Sequence, residues 1–272
     1  MSETDLVTIE LSDGVADVRL NRAEKYNALS GAMFREIIAA GESLAKDPSV
    51  RAVVLSGNGP GFCAGLDMSS FAGMADDAGS NTNVDALLER GELPENHAQR
   101  PAYVWKRLPV PVIAALHGVA YGGGAQVALG ADIRIAHPEM KMSVMEIKWG
   151  LIPDMSLTQT LRDLVPLDVA KELTFTGRIL SGEQALEQGL VTRLSDQPLE
   201  DALALAHEIA GKSPDAIRAG KHLLDTAWHA DERTGLELEA SLQTQLIGSP
   251  NQVEAIKANF EKRAPNFADP AK

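Results

Sequence analysis

The sequence predicts an α/β protein whose core repeats ββα-like units and which ends in a helical region. Three observations carry this. Short apolar runs at 51–56 and 112–116 alternate with helix-like stretches, the rhythm of a parallel sheet with helical crossovers. Residues 7–20 alternate apolar and polar about Asp13-Gly14, the pattern of a β-hairpin. Beyond Ser156 nearly every stretch has helical periodicity.

In chain order, Val7, Ile9 and Leu11 and then Val15, Val18 and Leu20 form the apolar sides of the hairpin. Ser30 stands where a helix cap is needed, and Met33, Ile37, Ile38 and Leu44 share one face of a helix expected from Gly31 to Lys46. The strand at 51–56 follows. Residues 74–84 are turn-prone and without periodicity, and from there to Lys106 no pattern is firm. The strand at 112–116, a helix over 122–130 and a strand over 132–136 repeat the unit. Helices are then expected over 157–165, 168–175, 182–188, 199–211, 214–229, 231–247 and 250–262. The division this implies is an α/β core over 1–198 and a helical region over 199–272.

Composition narrows the function classes. A chain of 272 residues, 44% hydrophobic, is ample for a large core. The net charge of −13 argues against a nucleic-acid partner, because phosphate binding needs a basic surface. No apolar run nears the roughly eighteen residues that cross a bilayer, and the opening MSETDLVTIELSDG is acidic, so a soluble cytoplasmic protein is expected. A single cysteine, Cys63, excludes an internal disulfide and reads as a small buried residue. The six histidines show no ligand spacing, and no metal is expected. His117, at the end of the 112–116 run, is expected to satisfy backbone groups, and Trp149 to pack in the core.

Two glycine-rich stretches stand out. His117-Gly-Val-Ala-Tyr-Gly-Gly-Gly-Ala-Gln-Val-Ala-Leu-Gly-Ala-Asp132 sets three glycines at a helix start, and Gly57-Asn-Gly-Pro-Gly-Phe-Cys-Ala-Gly-Leu-Asp67 follows a strand. Glycine inside a helix costs about 1 kcal/mol relative to alanine, so three together suggest a close approach to the backbone. A helix start also offers unpaired N–H groups that suit an oxyanion, although a glycine cluster alone is equally a turn or a tight contact.

Together these stretches resemble the crotonase (enoyl-CoA hydratase/isomerase) superfamily, whose members carry AGxD and GGG in this order. Leu20-Asn-Arg-Ala-Glu-Lys-Tyr-Asn-Ala-Leu29 is similar to the family's LNRPEKxNAL, with Ala23 in place of proline. Ser181-Gly-Glu-Gln-Ala-Leu-Glu-Gln-Gly-Leu-Val191 resembles its S-x-x-E-A-x-x-x-G-L-V connector, and Phe260-Glu-Lys-Arg-Ala-Pro-Asn-Phe267 its EKRxPxF ending. The resemblance spans nearly the whole chain. It implies the crotonase fold and an acyl-CoA thioester substrate, with coenzyme A as part of the substrate and no separate cofactor. It further implies a homotrimer or a dimer of trimers, joined through the helical region.

Carried over position by position, the resemblance assigns the oxyanion hole to the backbone N–H groups of Leu66 and Gly123. The family's hydratases use two glutamates. Here the first position is Gln126, and the second, twenty residues on, is Glu146. An amide neither takes nor gives a proton at neutral pH, though it can orient a water or a substrate group, so two-carboxylate hydration is in doubt. One carboxylate suffices for a double-bond shift, which makes isomerisation of an enoyl-CoA with Glu146 as base the favoured reading. Hydration of a 2-enoyl-CoA, with Asp154 or Gln126 compensating, is the alternative, and a low-turnover acyl-CoA-binding subunit is the third.

Asp154 stands eight residues after Glu146, where hydratases have glycine and dienoyl-CoA isomerases aspartate. Two readings stand: a second proton carrier, or a cap for the helix near Ser156. For coenzyme A the resemblance implies backbone carbonyls at Ala64 and Leu66, Lys25 near the pyrophosphate and Lys262 at the 3′-phosphate, from its own or a neighbouring subunit; Lys25 is the looser match, and the residue alone reads as a solvated lysine. Asn259 replaces the usual aromatic before Lys262, and Asn251 and Ala255 alter the tail's D-x-x-E-G. The 74–84 segment is expected to line the acyl pocket.

Overall fold

The computed structural model describes residues 5–68, 87–89 and 91–270. Strands β1 (Val7–Ser12) and β2 (Val15–Leu20) pair antiparallel, with Asp13 and Gly14 both at positive φ in the turn. A short 3-10 helix (Ala23–Lys25) leads into α1 (Gly31–Lys46), which Ser30 caps by accepting a hydrogen bond from the Met33 N–H. Met33, Ile37, Ile38 and Leu44 are buried along one face of α1, as their spacing predicts. Then come β3 (Ala52–Gly57), α2 (Arg100–Lys106), β4 (Val112–Leu116), β5 (Val119–Tyr121), α3 (Gly123–Leu129) and β6 (Ile133–Ala136).

Among the described residues the main sheet has six strands in the order β1-β2-β3-β4-β6-β9, where β9 is Arg193–Leu194. From β2 to β9 every pairing is parallel. Every residue of β3 and β4 is buried, as continuous apolar strands covered on both faces should be. On one face Val18, Leu20, Val53, Leu55, Ala114 and Leu116 pack with α1 and Trp105 of α2. On the other, Val15, Ala52, Val54, Ile113 and Ala115 meet Ala202, Ala206 and Ala210 of α7 (Pro198–Ala210). Small alanines at a four-residue spacing let this helix lie close against the strands.

A second, three-stranded sheet holds β5, β7 (Lys141–Ser143) and β8 (Leu180–Ser181). These two- and three-residue strands have no legible sequence period, which explains why no strand was expected there. The helix at 157–165 is shorter than its pattern suggests. α4 runs only from Leu157 to Thr160: Ser156 in the left-handed region sets its start, and after Leu161 the chain passes into a turn in which the Leu164 N–H donates to the Leu161 carbonyl at 3.0 Å. α5 (Leu167–Thr176) and α6 (Gly182–Glu187) follow, the latter closed by a Ser181–Gln184 capping box. The 74–84 segment, expected to line an acyl pocket, lies outside the described residues.

The tail forms α8 (Pro214–Ala227), α9 (Glu232–Leu246) and α10 (Pro250–Glu261). α8 is tied to the core by Lys221 Nζ, which donates to Asp132 at 2.7 Å and to the Val110 carbonyl at 3.0 Å. α9 buries none of its residues, and Leu224, Trp228, Leu236, Ile247 and Phe260 of the tail are exposed.

Asn27 fastens the N-terminal segment to the loop after β3. Fully buried and in the left-handed region, it donates through Nδ2 to the carbonyls of Asn58, Gly61 and Phe62 at 2.9–3.0 Å, and its Oδ1 accepts from the Arg22 N–H at 2.8 Å. Removing it strands buried carbonyls. Asn27→Ala should lower stability by about 2–4 kcal/mol, read as a drop in the urea unfolding midpoint at unchanged slope.

Candidate active site

The site is built where three segments meet. The first is the 62–67 segment after β3. Cys63 exchanges backbone bonds with β5, its N–H donating to Val119 O at 2.9 Å and its carbonyl accepting from the Tyr121 N–H at 3.0 Å. On its other side Leu29 N–H donates to Gly65 O and Asp67 N–H to Leu29 O, at 2.8 and 3.1 Å. In an extended segment alternate N–H groups point opposite ways, so that ladder passes over Leu66. Among the described residues the Leu66 N–H has no acceptor. The same holds for Gly123, the first residue of α3, because the helix's first internal bond runs from Gln126 N–H to Gly122 O.

Close approach holds these two donors side by side. A Cβ on Gly124 would lie 2.4 Å from the Cys63 carbonyl, and one on Gly65 would lie 2.5 Å from the Tyr121 carbonyl and 3.6 Å from the Gly123 nitrogen. Gly65 also holds φ at +87°, where other residues are strained. Cys63 itself is buried, its thiol donates to the Asn27 carbonyl at 3.1 Å, and burial pushes the thiol up to about 12. It is inert, as expected. His117 Nε2 meets the Gly59 carbonyl at 2.9 Å, the backbone role its position suggests.

The second segment is α3, all seven residues of which are buried, Gln126 completely. The third runs from β7 through a 3-10 helix (Glu146–Trp149) to Ser156. Gln126 Nε2 donates to Glu146 Oε1 at 2.7 Å, and Gln126 Oε1 accepts from the Met155 N–H at 2.9 Å. Glu146 Oε1 lies close to α3's start, 3.3 Å from where a Gly122 Cβ would sit. Glu146 Oε2 is buried and has no hydrogen-bond partner among the described residues.

Burial pushes the Glu146 carboxyl above the ordinary carboxylate range. Its own backbone N–H and the Gln126 amide pull it back, and the charge of Asp154 pushes it further up. Asp154, at an exposed position, is also raised, because its carboxyl is crowded by protein. The structure therefore brings Gln126, Glu146 and Asp154 together. The cap of α4 is Ser156, with no side-chain bond to the helix, so no capping role is visible for Asp154.

The other predicted residues divide. Lys25 ends the N-terminal 3-10 helix, exposed, next to Tyr26, whose carbonyl accepts from the Ala64 N–H at 2.9 Å. Lys25, Ala64 and Leu66 thus line one edge. An ion pair between Arg22 and Asp67 ties the same two segments together, a contact that sequence reasoning missed. Lys262 ends α10 in the left-handed region, exposed and two residues from the exposed Phe260. Trp149, expected in the core, is 40% exposed in the single chain, with Lys148 Nζ 5.4 Å from its ring centre, because the 3-10 helix carrying it buries no residue.

The sequence matches the Enoyl-CoA hydratase/isomerase family over residues 10–270. It is 36% identical over 263 residues to the mouse mitochondrial protein named enoyl-CoA hydratase domain-containing protein 2, covering 94% of this chain and 85% of that one. It is 30% identical to the peroxisomal Delta(3,5)-Delta(2,4)-dienoyl-CoA isomerase of Arabidopsis thaliana, covering 97% of this chain and 96% of that one. The fold matches the crystal structure of an enoyl-CoA hydratase from Bacillus anthracis with a TM-score of 0.87 at 30% identity, over 97% of this chain and all of that one.

A carboxyl that is raised on folding carries a stability signature. The folded state holds the Glu146 proton more tightly than the unfolded chain, so its contribution is favourable below the ordinary value of 4.5 and is lost as pH rises through the folded value. Glu146→Gln should accordingly melt higher than the parent protein at pH 7, and this advantage should shrink as pH falls towards 4.5. An advantage independent of pH would contradict the burial of this carboxyl.

Proposed function

The chain belongs to the enoyl-CoA hydratase/isomerase family, and from that premise we propose that it moves the double bond of a 3-enoyl-CoA to the 2-position, with Glu146 as the base. The observation that carries this reading is the pairing at the bottom of the site: one carboxylate with a free buried oxygen faces an amide instead of a second carboxylate. Glu146 Oε2 takes a proton from C2. The electron pair moves onto the thioester oxygen, where the Leu66 and Gly123 N–H groups hold the charge as a dienolate. The protonated Glu146 then gives its proton to C4, and the double bond comes to rest conjugated with the thioester. Burial makes Glu146 a stronger base and leaves one proton to be carried both ways.

Recognition of the coenzyme rests on local features, since the net charge of −13 repels an anionic ligand. Lys25 approaches the pyrophosphate, and the carbonyls of Ala64 and Leu66 accept from the adenine. Lys262, exposed at the end of α10, reaches the 3′-phosphate of the coenzyme held by a neighbouring subunit. That role and the exposed apolar side chains of the tail support a homotrimer or a dimer of trimers. Hydration of a 2-enoyl-CoA is the second reading, favoured by Asp154, whose charge reaches Glu146 and which could supply a second proton. In that case Gln126 acts by orienting the water.

Paired absorbance assays separate the readings. A 3-enoyl-CoA should develop the conjugated thioester band, and Glu146→Gln should lose about 10²–10⁴ in rate. Disappearance of the band from a 2-enoyl-CoA alone would favour hydration, and binding without change in either cuvette would favour a low-turnover acyl-CoA-binding subunit. Leu66→Pro, which deletes the N–H, should lower kcat by about 10²–10³, whereas Leu66→Ala should leave it within a few-fold.

A further inference from the structure

Gln126 is the single polar side chain of α3, and it is fully buried. The two ends of a glutamine amide are alike in shape and opposite in hydrogen bonding, so their assignment depends on their neighbours. Here one neighbour decides it. The Met155 N–H can only donate, and it meets Gln126 Oε1 at 2.9 Å. The amide NH₂ must then face Glu146 Oε1, 2.7 Å away, whatever the charge on Glu146.

A permanent donor on Oε1 disfavours a proton there, because the hydroxyl oxygen of a carboxylic acid is a poorer acceptor than its carbonyl oxygen. A proton on Oε2 conflicts with nothing, since that oxygen is buried and has no partner among the described residues. Resting on the single-base isomerisation proposed above, we infer that Gln126 is a positioning residue that steers the Glu146 proton to Oε2, so that one atom both removes the C2 proton and returns it at C4. The backbone of Met155 locks the amide, the amide locks the carboxyl, and the substrate meets a base with one competent oxygen. The arrangement also sets the pH range of that base, because the amide stabilises the charged carboxylate. A glutamate at 126 would undo both effects. One of its oxygens would still accept from Met155, but the other would confront Glu146 with a like charge, and the pair would share a proton.

The test compares the parent protein with Q126E and Q126M, using E146Q as the control for the base. In the pH dependence of kcat with a 3-enoyl-CoA, the acid limb should move up by at least about one pH unit in Q126E and by less in Q126M. Acid limbs unchanged in both variants, with only melting temperatures lowered, would mean that Gln126 is a packing residue and would overturn the inference. A second readout needs no turnover. Protein labelled with ¹³C at glutamate carboxyls is titrated without ligand, and the Glu146 signal is assigned by its loss in E146Q. Its midpoint should rise in the Q126M spectrum, and an unmoved midpoint would overturn the inference even if Q126E fails to fold. Absence of isomerisation by the parent protein, alongside a raised Q126M midpoint, would remove the proposed reaction and leave the Gln126–Glu146 coupling standing.

Discussion

The contact between the 62–66 segment and the start of α3 is the constraint on which the site depends. Two carbonyls, of Cys63 and Tyr121, come so near Gly124 and Gly65 that a methyl group on either glycine would be driven into backbone. Only at this separation do two N–H groups from distant parts of the chain, Leu66 and Gly123, stand together without internal acceptors. The parallel sheet delivers both segments to the same end, since β3 precedes one and β4 and β5 precede the other. Asn27 and the Arg22–Asp67 pair then brace the first segment from the N-terminal side.

Against this rigid frame lies a small polar cluster whose cost is desolvation. Gln126 is buried, Glu146 is partly so and Asp154 stands at an exposed position with its carboxyl crowded by protein, and both carboxyls respond by rising above their usual range. In a purely structural site such a carboxylate would be paired with a cation or fully hydrogen-bonded. Here one oxygen of Glu146 is bonded and the other is not. An unsatisfied, buried acceptor next to unclaimed donors is the arrangement expected of a site that completes its bonding with a substrate.

Much of this was legible in the sequence because the signals are local. The hairpin about Asp13-Gly14, the Ser30 cap with its apolar face, and the buried runs of β3 and β4 follow from turn chemistry and periodicity, and they occur where expected. Elements of two to four residues, such as β7, β8 and the 3-10 helix at Glu146, are too short to carry a period. Tertiary bonds define them. The same limit applies within the site. The family resemblance pairs Gln126 with Glu146, but only the folded chain reveals that the Met155 N–H fixes the amide, or that Asp154 does not cap α4. Trp149 was misjudged because apolarity predicts burial without specifying what buries it, and a single chain leaves its helix uncovered.

The most direct test of the central claim is exchange of the C2 hydrogens of an acyl-CoA in D₂O, followed by NMR, with the parent protein and Glu146→Gln side by side. A saturated acyl-CoA isolates enolate formation from any later step. The account predicts exchange at C2 that requires Glu146 and that weakens when the Leu66 N–H is removed. Exchange at the same rate in Glu146→Gln would contradict it, because some other group would then be the base.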